Sequence, residues 1–137
     1  MKKRILAAIL ALMTVLAFTG CTGGDDDGVV VISERFFVHE LMEVLLNHQQ
    51  YIGRTIRLEG MFRTLHVDGV DRFVVMRYTF TCCSEEPIGL EIVLGDFSPF
   101  AADAWVEVAG TLTMNNGFLV IQVTSITELT RRGAEVV

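Results

Sequence analysis

The chain has 137 residues, 51% of them hydrophobic, a mean hydropathy of +0.47 and a formal net charge of −6. That length houses one small hydrophobic core and excludes a second. The acidic balance lacks the basic footprint that binding to a phosphate backbone needs, which argues against a nucleic-acid partner.

Lys2, Lys3 and Arg4 precede the apolar run Ile5 to Phe18, which is too short for a typical membrane span and has the layout of a secretory signal peptide. Phe18-Thr19-Gly20-Cys21 sets small residues directly before a cysteine and resembles the lipobox at which bacterial lipoproteins are acylated on Cys and cleaved. The expectation is a signal peptide over residues 1–20 and a lipid anchor on Cys21, holding the chain at the extracytoplasmic face of a bacterial cell membrane. Thr22-Gly23-Gly24-Asp25-Asp26-Asp27-Gly28 is small and acidic and cannot bury enough apolar surface to offset the entropy of ordering. Residues 21–29 therefore read as a flexible tether, 30–130 as the folded domain and 131–137 as a tail. Removing residues 1–20 takes away every lysine and leaves 8 Arg against 17 Asp and Glu, a charge of −9.

Ser33 is placed to N-cap a helix over about Glu34 to Asn47, in which Phe37, Leu41, Val44, Leu45 and His48 fall on one apolar stripe. From Ile56 the period changes to two. Ile56, Leu58 and Phe62 alternate with Arg57, Glu59 and Arg63, and Gly60 marks a bulge or bend of the kind that turns a barrel corner. Asp68-Gly69 predicts a hairpin into a second strand from Arg72 to about Cys82. A third strand follows the Pro87 turn, over Ile88 to Leu94, and Phe100 to Ala104 suits one helical turn. Trp105 to Leu112 reads as a fourth strand, Asn116-Gly117 as another hairpin turn, and Phe118 to Ile126 as a fifth strand. The pattern predicts a mainly β fold: a small OB-fold-like five-stranded barrel preceded by one amphipathic helix. An SH3-like barrel or an open sandwich fits the same alternation.

The stretch Phe80-Thr81-Cys82-Cys83-Ser84-Glu85-Glu86-Pro87 carries two adjacent thiols at a strand end. If the strand is regular there, Val74, Met76, Tyr78, Phe80 and Cys82 share the more apolar face, while Phe73, Val75, Arg77, Thr79, Thr81 and Cys83 share the other. Three readings stay open. Cys82 is a small core residue and Cys83 a rim residue; or the pair binds a soft metal, zinc or Cu(I), with His48, His66, Glu85 or Glu86 as further ligands; or the pair is a redox or vicinal disulfide, for which the missing C-x-x-C counts against a thioredoxin-like mechanism. Arg77 and Trp105 are candidate ligand-binding residues on the barrel, with cross-strand pairing to glutamates and simple packing as the plainer accounts.

The runs Tyr51-Ile52-Gly53-Arg54-Thr55-Ile56, Arg72-Phe73 to Arg77, Cys82-Cys83, and Trp105-Val106-Glu107-Val108-Ala109-Gly110 together resemble the extracytoplasmic C-terminal domain of YcgQ-like proteins, a domain-of-unknown-function family numbered 1980. The resemblance covers residues 30 to about 128. It implies an OB-like domain at the outer face of the membrane, a permease subunit as partner, and Cys82 and Cys83 as the functional spot, with zinc as the associated metal. Ser84-Glu85-Glu86-Pro87 stands where relatives show small residues and an aspartate, which leaves Glu85 or Glu86 as the substitute carboxylate. No nucleophile elbow, metalloprotease helix or phosphate loop is present, so the expectation is a binding module and not an enzyme.

Overall fold

Long alternating runs separated by Asp-Gly and Asn-Gly become long antiparallel strands. A computed structural model describes residues 28–137, and the expected signal peptide, Cys21 and most of the expected tether lie outside those residues. The order is β1 (Val29–Ile32), α1 (Phe37–Leu46), a 3₁₀ turn (His48–Gln50), β2 (Thr55–Val67), β3 (Val70–Phe80), β4 (Glu85–Val93), β5 (Trp105–Asn115) and β6 (Phe118–Glu128). Among the described residues no helix is long and apolar enough to cross a membrane.

The five expected strands all form, and they close on themselves. β2 pairs with β3, β3 with β4, β4 with β6, β6 with β5, and β5 returns to β2. All contacts are antiparallel except β4–β6, where Glu91–Val93 run parallel to Val120–Gln122. A five-stranded ring with that order and one parallel contact is the connectivity of an OB-type barrel. β2 makes the corner: residues 55–61 pair with β5 and 61–67 with β3. Gly60 sits beside that changeover, where an added Cβ would lie 2.7 Å from the Met76 carbonyl oxygen, so only glycine lets the strands approach. The register shift itself lies at Ala109/Gly110 in β5.

The inward residues Ile56, Leu58, Phe62, Val75, Leu90, Ile92, Val106, Val108, Leu112 and Ile121 fill the barrel, and Phe37, Leu41 and Val44 of α1 join the same core. Their spacings of four and three are the helical stripe expected from the sequence.

Several expectations are corrected. The helix starts at Phe37, not Glu34, and Ser33 does not cap it; the Ser33 backbone N–H and hydroxyl instead both donate to the Glu40 carboxylate. A sixth strand, β1, adds in parallel to residues 55–58 of β2. Four residues flanked by an acidic stretch give too short a periodic signal to read. The Phe100–Ala104 segment forms no helical turn. Pro87 is inside β4 and not in a turn. It lies opposite Tyr78, whose own N–H donates to Glu135 O and whose carbonyl accepts from Val137 N–H, so the missing proline N–H breaks no bond of the β3–β4 ladder. The face assignment in β3 is reversed: Val75 is in the core and Phe73 packs on it, while Phe80 is 69% exposed.

Candidate functional site

β3 and β4 meet in the second hairpin of the barrel, and its tip holds the two thiols. Thr81 N–H donates to the Ser84 carbonyl at 2.9 Å and closes a two-residue reversal made of Cys82 and Cys83. Thr81 Oγ1 donates to the same carbonyl at 3.1 Å, and Ser84 Oγ donates to Glu86 Oε1 at 2.7 Å. Every residue from Thr81 to Pro87 is exposed. Cys82 is therefore no core residue; regular pairing ends at Phe80, and parity no longer governs where the thiols point. Their Sγ atoms lie 3.3 Å apart and are not bonded.

The other two tips show what a two-residue hairpin ordinarily demands. Asp68 and Gly69 take φ of 53° and 78°, Asn116 and Gly117 take 49° and 83°, the left-handed pair whose twist matches the flanking strands. Neither cysteine adopts a positive φ. Turn chemistry therefore explains Asp68-Gly69 and Asn116-Gly117 but gives no reason for Cys-Cys.

The remaining expected ligands do not gather round the thiols. His66 sits at the β2–β3 tip, in register with Asp71 and 2.8 Å from its carboxylate. Asp71 and Cys82 lie at opposite ends of β3, on the order of 30 Å apart along an extended strand. His48 stands in the 3₁₀ turn after α1, its Nδ1 3.2 Å from Leu45 O. Glu85 opens β4 opposite Phe80. Among the described residues no three His, Cys, Asp or Glu side chains converge as a metal site. To take two positions of a tetrahedral zinc the sulfurs have to open from 3.3 Å to the S···S edge of about 3.8 Å set by zinc–sulfur bonds of about 2.3 Å. Thr81 and Ser84, which close the turn, were not among the expected site residues; a Thr-x-x-Ser frame round two cysteines was the available signal.

Arg77 and Trp105 belong to a different place. Arg77 is 1% exposed, with its guanidinium between the rings of Phe37 at 4.9 Å and Trp105 at 4.8 Å. Nε donates to Glu59 O and Nη1 to Ala134 O, both at 2.9 Å, and Glu34 lies 3.3 Å from Nη1. On the edge of β2 away from β5, β1 pairs as far as Leu58 and β3 takes over at Met61, so Arg77 supplies the donor to the Glu59 carbonyl in the gap between them. Trp105 is 2% exposed. The expected pairing of arginines with strand glutamates holds for Arg72 and Glu91 at 3.4 Å, while Arg63 pairs with Asp103 at 2.7 Å. A cleft of about 380 Å³ beside Arg77 is lined by charges of both signs, among them Arg57, Glu59, Glu107 and Arg131.

A comparison with solved structures finds the dimeric N-terminal domain of PriB protein from Thermoanaerobacter tencongensis, with 15% identity, 56% of this chain and 97% of that chain covered, and a TM-score of 0.34. The OB-type description rests on strand order and register and not on that likeness. A comparison with curated proteins gives no match. The DUF1980 C-terminal domain matches residues 22–133, a span that contains all six strands, the helix and the Cys82-Cys83 tip. The chain belongs to the DUF1980 C-terminal domain family.

Proposed function

We propose that this protein is a lipid-anchored, extracytoplasmic OB-type binding module that accompanies a membrane permease and captures a soft metal ion, zinc foremost, on Cys82 and Cys83. The reading is of a carrier or accessory subunit and not a catalyst. The anchor and the permease partner rest on the lipobox-like Cys21 and on the family resemblance. The observation that carries the metal reading is the exposed thiol pair at 3.3 Å, standing at a tip where turn geometry asks for other residues.

The test is the zinc and copper content of the purified full chain against a Cys82→Ser, Cys83→Ser variant. Stoichiometric metal in the wild type that vanishes in the variant is the expected result. Metal in neither protein contradicts the reading.

A second reading, a protein-interaction domain without metal, is favoured by one separate feature. Leu65, Val67 and Val70 at the β2–β3 tip and Met114 and Phe118 at the β5–β6 tip are exposed, with Arg72 stacked 4.7 Å above the Phe118 ring. That surface suits an apolar partner face.

A further inference from the structure

We infer that Cys82 and Cys83 are a reversible covalent modification site: under oxidation they join in an intramolecular disulfide that withdraws both metal ligands at once. The inference rests on the metal reading for its consequence, but the disulfide itself stands on geometry. The Sγ atoms are 3.3 Å apart and exposed, so bonding at about 2.05 Å requires an approach of little more than 1 Å by side chains with nothing packed over them. The tip lies outside the core, and the barrel ladder ends at Phe80–Glu85, so closing the bond disturbs no buried contact.

The same geometry says what kind of disulfide this is. Adjacent Cα atoms are about 3.8 Å apart, below the usual 4.4–6.8 Å between bridged cysteines, so the eight-membered ring is strained and readily reduced. It also encloses no intervening residue, and therefore removes almost no freedom from the unfolded chain. A strained bond that contributes no chain-entropy stabilisation acts as a switch and not as a staple. Metal capture and the disulfide use the same two sulfurs, which makes them mutually exclusive.

The chemistry balances against an oxidant that is itself a disulfide. One thiolate attacks the oxidant's S–S bond and releases its first thiol as a mixed disulfide forms. The neighbouring thiolate then attacks its partner's sulfur and releases the second. The two protein thiols lose two protons and two electrons, and the oxidant leaves as two thiols.

The test equilibrates the full chain in glutathione buffers of graded oxidised-to-reduced ratio, blocks free thiols with an alkylating agent and measures the tryptic peptide spanning residues 78–131, which holds both cysteines and no internal Lys or Arg. Both alkylation sites disappearing together, with the mass of two hydrogens lost and regained on adding a dithiol reductant, is the expected result. Two thiols that stay free, or that accumulate only glutathione adducts or interchain links, overturn it. Zinc uptake by the reduced and oxidised forms is read in parallel: uptake by the reduced form alone supports the switch, and equal uptake by both overturns it. A disulfide that forms in a chain taking no zinc in either state sinks the metal reading while the modification site stands.

Discussion

Arg77 is the one charged side chain buried among the described residues, and its role follows from the gap on β2 between the end of its pairing with β1 and the start of its pairing with β3. With Met at position 77, the Glu59 and Ala134 carbonyls lose their donor and the rings of Phe37 and Trp105 lose the plane between them. The expected cost is about 3 kcal/mol in urea unfolding, with metal content per folded chain unchanged. Arg77→Lys recovers less than half of that loss, because an ammonium has neither the fork nor the stacking plane. Gly89 gives a second residue-scale prediction. An added Cβ would run into the Val75 carbonyl oxygen and the Met76 backbone, so Gly89→Ala is expected to cost roughly 1–3 kcal/mol through strand separation. A drop below about 0.5 kcal/mol in the same measurement contradicts the packing described here.

At the scale of elements, the hairpins separate fold from function. Replacing Cys82-Cys83 by Asn-Gly, the pair already used at Asn116-Gly117, supplies the left-handed conformation that two-residue hairpins favour. The variant is expected to be as stable as the wild type or more so, by up to about 1 kcal/mol, and to bind no metal; a folded but less stable variant means the cysteines hold the turn. The segment after β6 is a strap: Tyr78 bridges to Val136 and Val137 packs on the core, so deleting residues 133–137 is expected to lower stability by on the order of 2 kcal/mol. Alternation and the two Asp/Asn-Gly turns made β2, β3, β5 and β6 legible in the sequence to within a few residues. What stayed hidden depended on distant partners. Met76, Tyr78 and Phe80 look like an inward face until the ladder shows Val75 beneath Leu90, and Pro87 looks like a turn until the strap satisfies Tyr78. The Cys pair stood out in the sequence as a candidate, but its position at an exposed tip, and its distance from His66, did not.

For the molecule as a whole, closure comes from residues about fifty positions apart, Thr55–Met61 against Trp105–Thr111, with α1 docked on the same core. The three hairpin tips lie beyond that closed ring, with exposed residues at each. Two tips carry turn residues with exposed apolar neighbours, and one carries a dithiol among Glu85 and Glu86. On the proposed reading the dithiol tip captures a soft metal, while the apolar surface at the other two favours the alternative, a protein-interaction domain without metal. The central claim is tested most directly by titrating zinc into the reduced full chain in competition with a chromophoric chelator, beside the Asn-Gly variant of the Cys82-Cys83 tip. The account predicts saturable competition by the wild type and none by an equally folded variant. Identical titrations for the two proteins, whether both compete or neither does, would contradict it.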